Sequence, residues 1–177
     1  YVDVHSIVQS TVKEIGYADP ALGFDYKSCA VVTSIHEQSP DINIGVTGKG
    51  INKEQGARDQ GLMFGYATDE TEEMIPTPIM LAHRITRKLA EVRKSKKLDY
   101  IGPDGKSQVT VDYENRNPVS IPAIVVASQH REGISHDTIK EDIIEHVIKP
   151  VVPEEMITNT VYHVNETGSF VMGGPQA

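Results

Sequence analysis

The order of apolar patterns along the chain predicts an α+β fold, in which a βαββαβ unit carries its helices on one face of a mixed sheet. Two long stretches repeat their apolar residues with a helical period, and short β-branched runs of strand length lie before, between and after them. A further helix and strand at the start of the chain would belong to an incomplete second unit of the same type. An apolar fraction of 38% and a charged fraction of 24% over 177 residues agree with a globular protein.

The first part of the chain is predicted to form a helix and then a buried strand. Apolar residues recur at three- and four-residue steps from Val4 to Ile15, and Gly16 follows as a stop signal. Residues 28–35 are β-branched and apolar enough for a buried strand. Cys29 lies in this run and is the single cysteine, so a disulfide within the chain is excluded and a buried structural thiol is expected.

Residues 38–58 interrupt the pattern. They contain Pro40 and four glycines, Gly45, Gly48, Gly50 and Gly56, but few large apolar residues. Loops longer than about 12 to 15 residues are uncommon inside compact domains and are usually functional or disordered. We therefore predict a long mobile loop here.

The rest of the chain is predicted to supply the complete unit. Its strands are expected at residues 61–68, 108–113, 121–128 and 160–164, and its helices at residues 78–94 and from an N-cap at Ser135 or Asp137 to Ile148. In the second of these strands, polar and apolar residues alternate, so one face of it should be polar or line a site. We divide the chain into residues 1–37 as part of an N-terminal-type α+β domain, 38–58 as an active-site loop, 59–166 as a central domain and 167–177 as the start of a further domain.

Charge and hydropathy limit the expected partners. A net charge of −8 argues against nucleic-acid binding, which needs a basic face. Basic residues between Arg84 and Lys97 alternate with apolar ones, which is typical of a solvated helix face. There is no signal-peptide pattern and no apolar run of about 18 residues that could span a bilayer. We expect a cytoplasmic protein without nucleic-acid or membrane partners.

Asp59 lies between Gly56 and Gly61, directly before an apolar run. Glycines let backbone approach a ligand closely, and a following strand would hold the carboxylate on a rigid edge. From the residues alone, Asp59 is either a turn residue that caps local amides or a functional carboxylate. Gln38, taken alone, would be a polar residue at the end of a strand.

Residues 102–107 end like a phosphate-binding loop but do not fit one. The first glycine of that motif would stand where Tyr100 is, and a strand follows instead of a helix. Taken alone, Asp104 and Lys106 would be an exposed ion pair beside a turn. Phe170, taken alone, would be a core residue on a following strand, because most aromatic residues serve cores.

The residues from Gly56 to Thr71 resemble the Gly-Ala-Gly-Asp-Gln-Gly signature of the S-adenosylmethionine synthase (methionine adenosyltransferase) family, including the Leu-Met-Phe-Gly-Tyr-Ala-Thr run after it. Further segments match the family in order and spacing, namely Gln38–Asn43, Pro103–Val109, Ile148–Pro150 and Phe170–Pro175. The resemblance implies a fold of three similar units with pseudo-threefold symmetry. It covers essentially the whole chain but about the middle half of the family's length, without the family's terminal motifs.

The resemblance implies that the methionine sulfur attacks the ribose 5′ carbon of ATP and expels triphosphate, which is then cleaved to phosphate and pyrophosphate. Two residues would contact methionine, Gln38 and Asp59, and five would contact ATP, namely Asp104, Gly105, Lys106, Ser169 and Phe170. Lys106 and Asp59 are the expected catalytic residues. The family uses Mg²⁺ and K⁺, for which we expect no ligands within these 177 residues, and it works as a homodimer or homotetramer with active sites shared between subunits.

The chain departs from the family pattern at two positions. Arg58 replaces the second glycine of the signature, and Ser169 stands where the family has an arginine. These differences support a competing hypothesis, a truncated or divergent non-catalytic chain that binds nucleotide or a synthase partner. An unrelated nucleotide- or RNA-binding βαββαβ module is disfavoured by the acidic charge. Under the first hypothesis, we expect the 177 residues by themselves to be inactive.

Overall fold

The computed structural model describes residues 2–51, 53–56 and 61–177. They form two units: a larger one from Tyr1–Cys29 with Ala67–Ala177, and a smaller one from Ala30–Tyr66. The larger unit contains helices α1 (Val4–Ile15), α3 (Thr77–Lys94) and α4 (His136–Ile143) and strands β1 (Ile101–Glu114), β2 (Asn117–His130) and β3 (Val161–Val164). The smaller unit contains helix α2 (Pro40–Val46).

The three strands form one mixed sheet in the order β1, β2, β3. β1 and β2 are antiparallel and are joined by the two-residue turn Asn115-Arg116, whose φ angles of 49° and 68° are those of a type I′ hairpin. β2 and β3 are parallel, so helix α4 forms the crossover between them. The predicted α+β class with a mixed sheet is confirmed. β1 and β2 are longer than predicted: β1 begins seven residues earlier and ends one residue later, and β2 begins four residues earlier and ends two residues later.

Helices α3 and α4 cover the same face of this sheet. α3 packs on β1, and it also packs against the π-helical segment Ile144–Ile148 that continues α4. The core between the helices and the sheet is aliphatic. It is formed by residues at helical spacing on α3 and by alternate residues on the strands, because these are the positions that face the interior. Its most buried members are Ile85, Ile121, Ile124, Val126, Ile139, Ile143, Val147, Ile148 and Val164.

Helix α1 is confirmed with its predicted ends. Asp3 caps it by accepting a 3.1 Å hydrogen bond from the Ser6 N–H, and Gly16 ends it with a φ of 121°. Arg93, at the end of α3, donates a 2.6 Å hydrogen bond to the Ile15 carbonyl and so ties α1 to the rest of the larger unit.

Two predicted strands are wrong. Residues 28–35 and 61–68 form no strand, and their apolar side chains are largely exposed, with Val32 at 91% and Phe64 at 93%. A strand requires a neighbour that completes its backbone hydrogen bonds, and strand propensity in the sequence does not reveal whether such a neighbour exists. Within the described residues, the predicted βαββαβ unit therefore lacks its first strand. Cys29 is half-buried rather than buried, and its thiol donates to the Tyr26 carbonyl at 3.5 Å.

The predicted loop at residues 38–58 contains a helix that the sequence reading missed. Ser39 caps α2 through its Oγ, which accepts from the Ile42 N–H at 3.4 Å, and Pro40 takes the first helical position. A Ser-Pro-Asp start is a recognisable helix signal, but the glycines that follow it obscured the helix. No helix within the described ranges 2–51, 53–56 and 61–177 is long and apolar enough to cross a bilayer.

Candidate functional site

Asp104 lies at a β-bulge near the start of β1. Between the pairs Ile101↔His130 and Gly105↔Ser128, β1 advances by four residues while β2 advances by two. Bulges of this kind bend a strand and redirect its side chains, and they are common beside functional sites. Here the bulge directs the Asp104 carboxylate to the C-terminal segment, where Oδ2 accepts a 2.8 Å hydrogen bond from the Gly174 N–H.

Lys106 and Phe170 are neighbours in the fold. The Lys106 ammonium lies 5.8 Å from the centroid of the Phe170 ring, within the range of a cation–π contact. Lys106 pairs with Ala127 across the hairpin, whereas the next residue, Ser107, donates to the Ala82 carbonyl of α3. Because successive side chains alternate across a sheet, Lys106 points away from the helices.

Gly173 marks the point where Asp104 and Phe170 meet. A Cβ atom on Gly173 would lie 2.8 Å from Phe170 Cε2 and 3.0 Å from Asp104 Oδ2. Only a residue without a side chain fits there, so the backbone of the C-terminal segment packs between the carboxylate and the ring. Asp104, Lys106 and Phe170 are thus gathered in one place.

The chain reaches Phe170 through a tight turn after β3. Asn165 has a left-handed φ of 45°, and its side chain is bonded to Ser128 of β2 at both ends, accepting from the N–H at 2.8 Å and donating to the carbonyl at 3.0 Å. This amide extends the β3 ladder by one residue and turns the chain back across the end of β2. Ser169 follows in the turn and is exposed. Because serine is uncharged, this position supplies no cation next to Phe170.

Gln129 connects the bulge of β1 to the C-terminal segment. It is only 2% exposed. Its Oε1 accepts from the Asp104 N–H at 3.3 Å, and its Nε2 donates to the Val171 carbonyl at 3.1 Å. Gly102 leaves room for it, since a Cβ there would lie 2.5 Å from Gln129 Oε1. The side chain therefore holds the bulge and the C-terminal segment at a set separation.

His130 binds the backbone of Phe170 twice. Its N–H donates to the Phe170 carbonyl at 2.9 Å, and its ring Nε2 accepts from the Phe170 N–H at 3.0 Å. The other ring nitrogen, Nδ1, lies 2.8 Å from the Arg131 carbonyl, which can only accept, so the proton of the neutral ring is on Nδ1.

Tyr17 packs against Gly174, close to the Asp104 carboxylate. A Cβ atom on Gly174 would come within 2.2 Å of the Tyr17 hydroxyl oxygen. Burial raises the pKa of Tyr17 above its usual value, the negative charge of Asp104 raises it further, and Arg93 opposes them. Sequence reasoning missed Tyr17, Gln129 and His130. The polar pair Gln129-His130 at the end of an apolar strand was a usable signal, whereas nothing in the sequence distinguishes Tyr17.

A cavity of about 630 Å³ adjoins this site, lined in part by Gly102, His130 and Val171. It is open to solvent and mixed in charge, because Arg93, Lys96 and Arg131 line it together with Asp19, Asp99 and Glu132.

The remaining predicted site residues are placed as follows. Residues 102–107 lie wholly within β1, which confirms that they are not a phosphate-binding loop. Gly105 is exposed on β1, beside Asp104 and Lys106. Gln38 is exposed in the smaller unit, just before α2. Asp59 and Arg58 lie outside the described residues. Where the structure describes the chain, no three His, Cys, Asp or Glu side chains gather so as to hold a metal ion.

Comparison with known proteins gives consistent matches along the chain. The family model described as "S-adenosylmethionine synthetase, central domain" matches residues 54–170, and the corresponding N-terminal domain model matches residues 1–40. An S-adenosylmethionine synthase of Sorangium cellulosum (strain So ce56) is 54% identical over 177 residues, which cover 99% of this chain and 42% of that protein. One of Syntrophobacter fumaroxidans (strain DSM 10017 / MPOB) is 56% identical over 99% of this chain and 46% of the relative. The chain spans less than half the length of either relative.

Proposed function

This chain belongs to the S-adenosylmethionine synthetase family, and we propose that the protein containing it is a methionine adenosyltransferase. The reaction converts ATP, L-methionine and water to S-adenosylmethionine, phosphate and pyrophosphate. The observation that supports it best is the convergence of a stacking ring, a carboxylate and an ammonium, Phe170, Asp104 and Lys106, from segments far apart in the chain.

These three groups match the chemistry of a nucleoside triphosphate. The half-buried Phe170 ring offers an apolar face on which a base can stack. The Asp104 carboxylate accepts hydrogen bonds, as the hydroxyl and amino groups of a nucleoside require, whereas Lys106 supplies the positive charge that phosphates require. We assign ATP binding to Asp104, Gly105, Lys106, Ser169 and Phe170.

In the proposed reaction, a lone pair of the neutral methionine sulfur forms a bond to the ribose 5′ carbon. The bond from that carbon to the triphosphate oxygen breaks, and its electron pair leaves with the triphosphate. The product is a sulfonium, and water then cleaves the triphosphate. Lys106 is the catalytic cation, because its charge stabilises the negative charge that develops on the leaving oxygen.

The methionine side of the site is assigned to Asp59 and Gln38. A carboxylate complements the ammonium of the amino acid, so Asp59→Asn should mainly impair the use of methionine. Mg²⁺ and K⁺ are expected from the resemblance. No three His, Cys, Asp or Glu side chains gather to hold an ion within the described ranges 2–51, 53–56 and 61–177. We further propose that the protein is cytoplasmic and forms a homodimer or homotetramer in which two subunits share each active site.

The proposal is tested by incubating the full-length protein with ATP, L-methionine, Mg²⁺ and K⁺. We expect S-adenosylmethionine, pyrophosphate and phosphate in equal amounts, and no S-adenosylmethionine from the isolated 177 residues. Binding of ATP without product would favour the non-catalytic alternative, which Ser169 supports because serine carries no charge at a position where the family has an arginine. Absence of both binding and product would reject the proposal.

A further inference from the structure

His130 is a buried polar side chain whose bonding is fully accounted for within the fold. It is 5% exposed, both ring nitrogens have partners, and its backbone N–H is used as well. Burying an imidazole costs free energy unless its nitrogens are hydrogen-bonded, so an apolar residue would be the simpler choice at the end of an apolar strand. The position of the ring therefore calls for a reason beyond packing.

The bonds of His130 replace part of a strand ladder. In an antiparallel pair, two opposite residues exchange two N–H to carbonyl bonds. Between His130 and Phe170, one bond of that kind is present, from the His130 N–H to the Phe170 carbonyl, but the Phe170 N–H bonds to the imidazole Nε2. The backbone of Phe170 is thus held by one main-chain bond and one side-chain bond of the same residue.

The position of the Phe170 ring depends on this backbone. After Asn165, the chain runs through an exposed turn of residues 166–169, and the contacts with His130 are the first that return it to the sheet. Gln129 then holds Val171, one residue further on. Lys106 lies over the ring so held.

We propose that His130 is a positioning residue of the nucleotide site: through its Nε2 it fixes the backbone of Phe170, and thereby the ring on which the adenine stacks. This inference rests on the proposed function. His130 itself touches no reacting atom, because its ring nitrogens are occupied by Phe170 and Arg131. Its effect is on the affinity for ATP and not on that for methionine.

Two conservative substitutions separate the two bonds of the ring. The amide oxygen of Gln reaches approximately the place of Nε2 and can accept from the Phe170 N–H, whereas the shorter amide of Asn reaches only the place of Nδ1. His130→Gln should therefore keep the bond to Phe170, and His130→Asn should lose it. His83, exposed on α3, provides matched controls in His83→Gln and His83→Asn.

Each variant of the full-length protein is assayed for the KM of ATP, the KM of methionine and kcat, and for binding of a non-hydrolysable ATP analogue by calorimetry. For His130→Asn we expect the KM of ATP and the Kd of the analogue to rise about tenfold, as loss of one hydrogen bond predicts. The KM of methionine and kcat at saturating ATP should change less than about twofold. His130→Gln and both His83 variants should stay within about threefold of the parent protein.

The outcomes distinguish this inference from the proposed function. Equal effects of His130→Gln and His130→Asn, or equal increases of both KM values, would overturn the positioning role and leave a structural one. Should His130→Asn not fold, His130→Met, which is similar in length without a strong acceptor, gives the same comparison with His130→Gln. A parent protein that forms no S-adenosylmethionine would refute the proposed function, while the analogue's binding constants would still decide on His130.

Discussion

The Asp104 carboxylate accepts a 2.8 Å hydrogen bond from the Gly174 N–H, which joins residues 70 positions apart in the chain. This bond attaches the C-terminal segment to the bulged start of β1. Under the proposed function, the same carboxylate both holds the C-terminal segment and binds the nucleotide.

Substitution of Asp104 separates these two roles. Asp104→Asn keeps an oxygen for the Gly174 N–H but removes the charge, whereas Asp104→Ala leaves that N–H without its acceptor. We expect Asp104→Ala to lower the free energy of unfolding by about 1–3 kcal/mol more than Asp104→Asn does, as measured by urea unfolding of the full-length protein. Both variants should weaken ATP binding. Equal stabilities of the two variants would show that the Gly174 bond contributes little.

Lys106 should matter most when charge develops on the leaving group. We expect Lys106→Ala to lower kcat about a hundredfold while the KM of methionine changes less than about threefold. Steady-state kinetics of the full-length enzyme measure both. Lys97→Ala, which removes an exposed lysine after α3, is the matched control and should leave kcat unchanged. A kcat for Lys106→Ala equal to that of this control would remove Lys106 from the site.

Two glycines with similar backbones should respond differently to alanine. Gly168 and Gly174 both have left-handed φ angles, 85° and 71°, but a Cβ on Gly168 meets nothing within 4 Å, whereas one on Gly174 would collide with the Tyr17 hydroxyl. Gly168→Ala should cost only the backbone strain, about 1 kcal/mol. Gly174→Ala should cost clearly more and should also weaken ATP binding. Similar melting temperatures for the two variants would contradict the close packing of Tyr17 under the site.

Glu70 should make the stability of the fold depend on pH. The Tyr113 hydroxyl, at 2.6 Å, and the Thr77 N–H at the start of α3, at 3.0 Å, both donate to it and lower its pKa from 4.5 to about 2. Because the pKa in the folded state is depressed, the stabilisation is present above the ordinary pKa and is lost as the pH falls from 4.5 toward about 2.

Melting temperatures of the full-length protein and its Glu70→Gln variant test this. The parent protein should melt higher above about pH 5, and the difference should shrink as the pH falls to about 3. Glu72→Gln, on the same turn and exposed, controls for the loss of a surface charge. A difference between the parent and Glu70→Gln that grows on acidification would contradict the assignment.

Residues 38–58 are predicted to act as a lid over the two substrates. Closure over ATP and methionine would exclude water from the attack of sulfur on the ribose carbon. Lys49 and Lys53 are exposed trypsin sites after α2. In the full-length enzyme, cleavage there should be fast without ligands and markedly slower with an ATP analogue, methionine and Mg²⁺ together. Equal cleavage rates, while the rest of the chain stays folded, would identify a passive linker.

The sequence predicts α1, α3 and α4 well and β1 and β2 in part, because their patterns are local. The apolar faces of α3, α4 and the strands fill one core, whereas α1 has no buried residue. Residues 28–35 and 61–68 have similar strand propensity, yet they form no strand, since pairing depends on a partner elsewhere in the structure. Asp104, Lys106 and Phe170 were found through motifs. Gln129, His130 and Tyr17 escaped detection because their roles arise from backbone groups that only the fold brings to them.

A structure of the full-length protein with a non-hydrolysable ATP analogue tests the central claim most directly. We predict that the adenine stacks on Phe170, with ring centroids about 4.5–7 Å apart, and that the phosphates lie on the side of Lys106. The Asp104 carboxylate should keep its bond to the Gly174 N–H. An analogue bound elsewhere, with Phe170 and Lys106 in contact only with each other, would contradict the account.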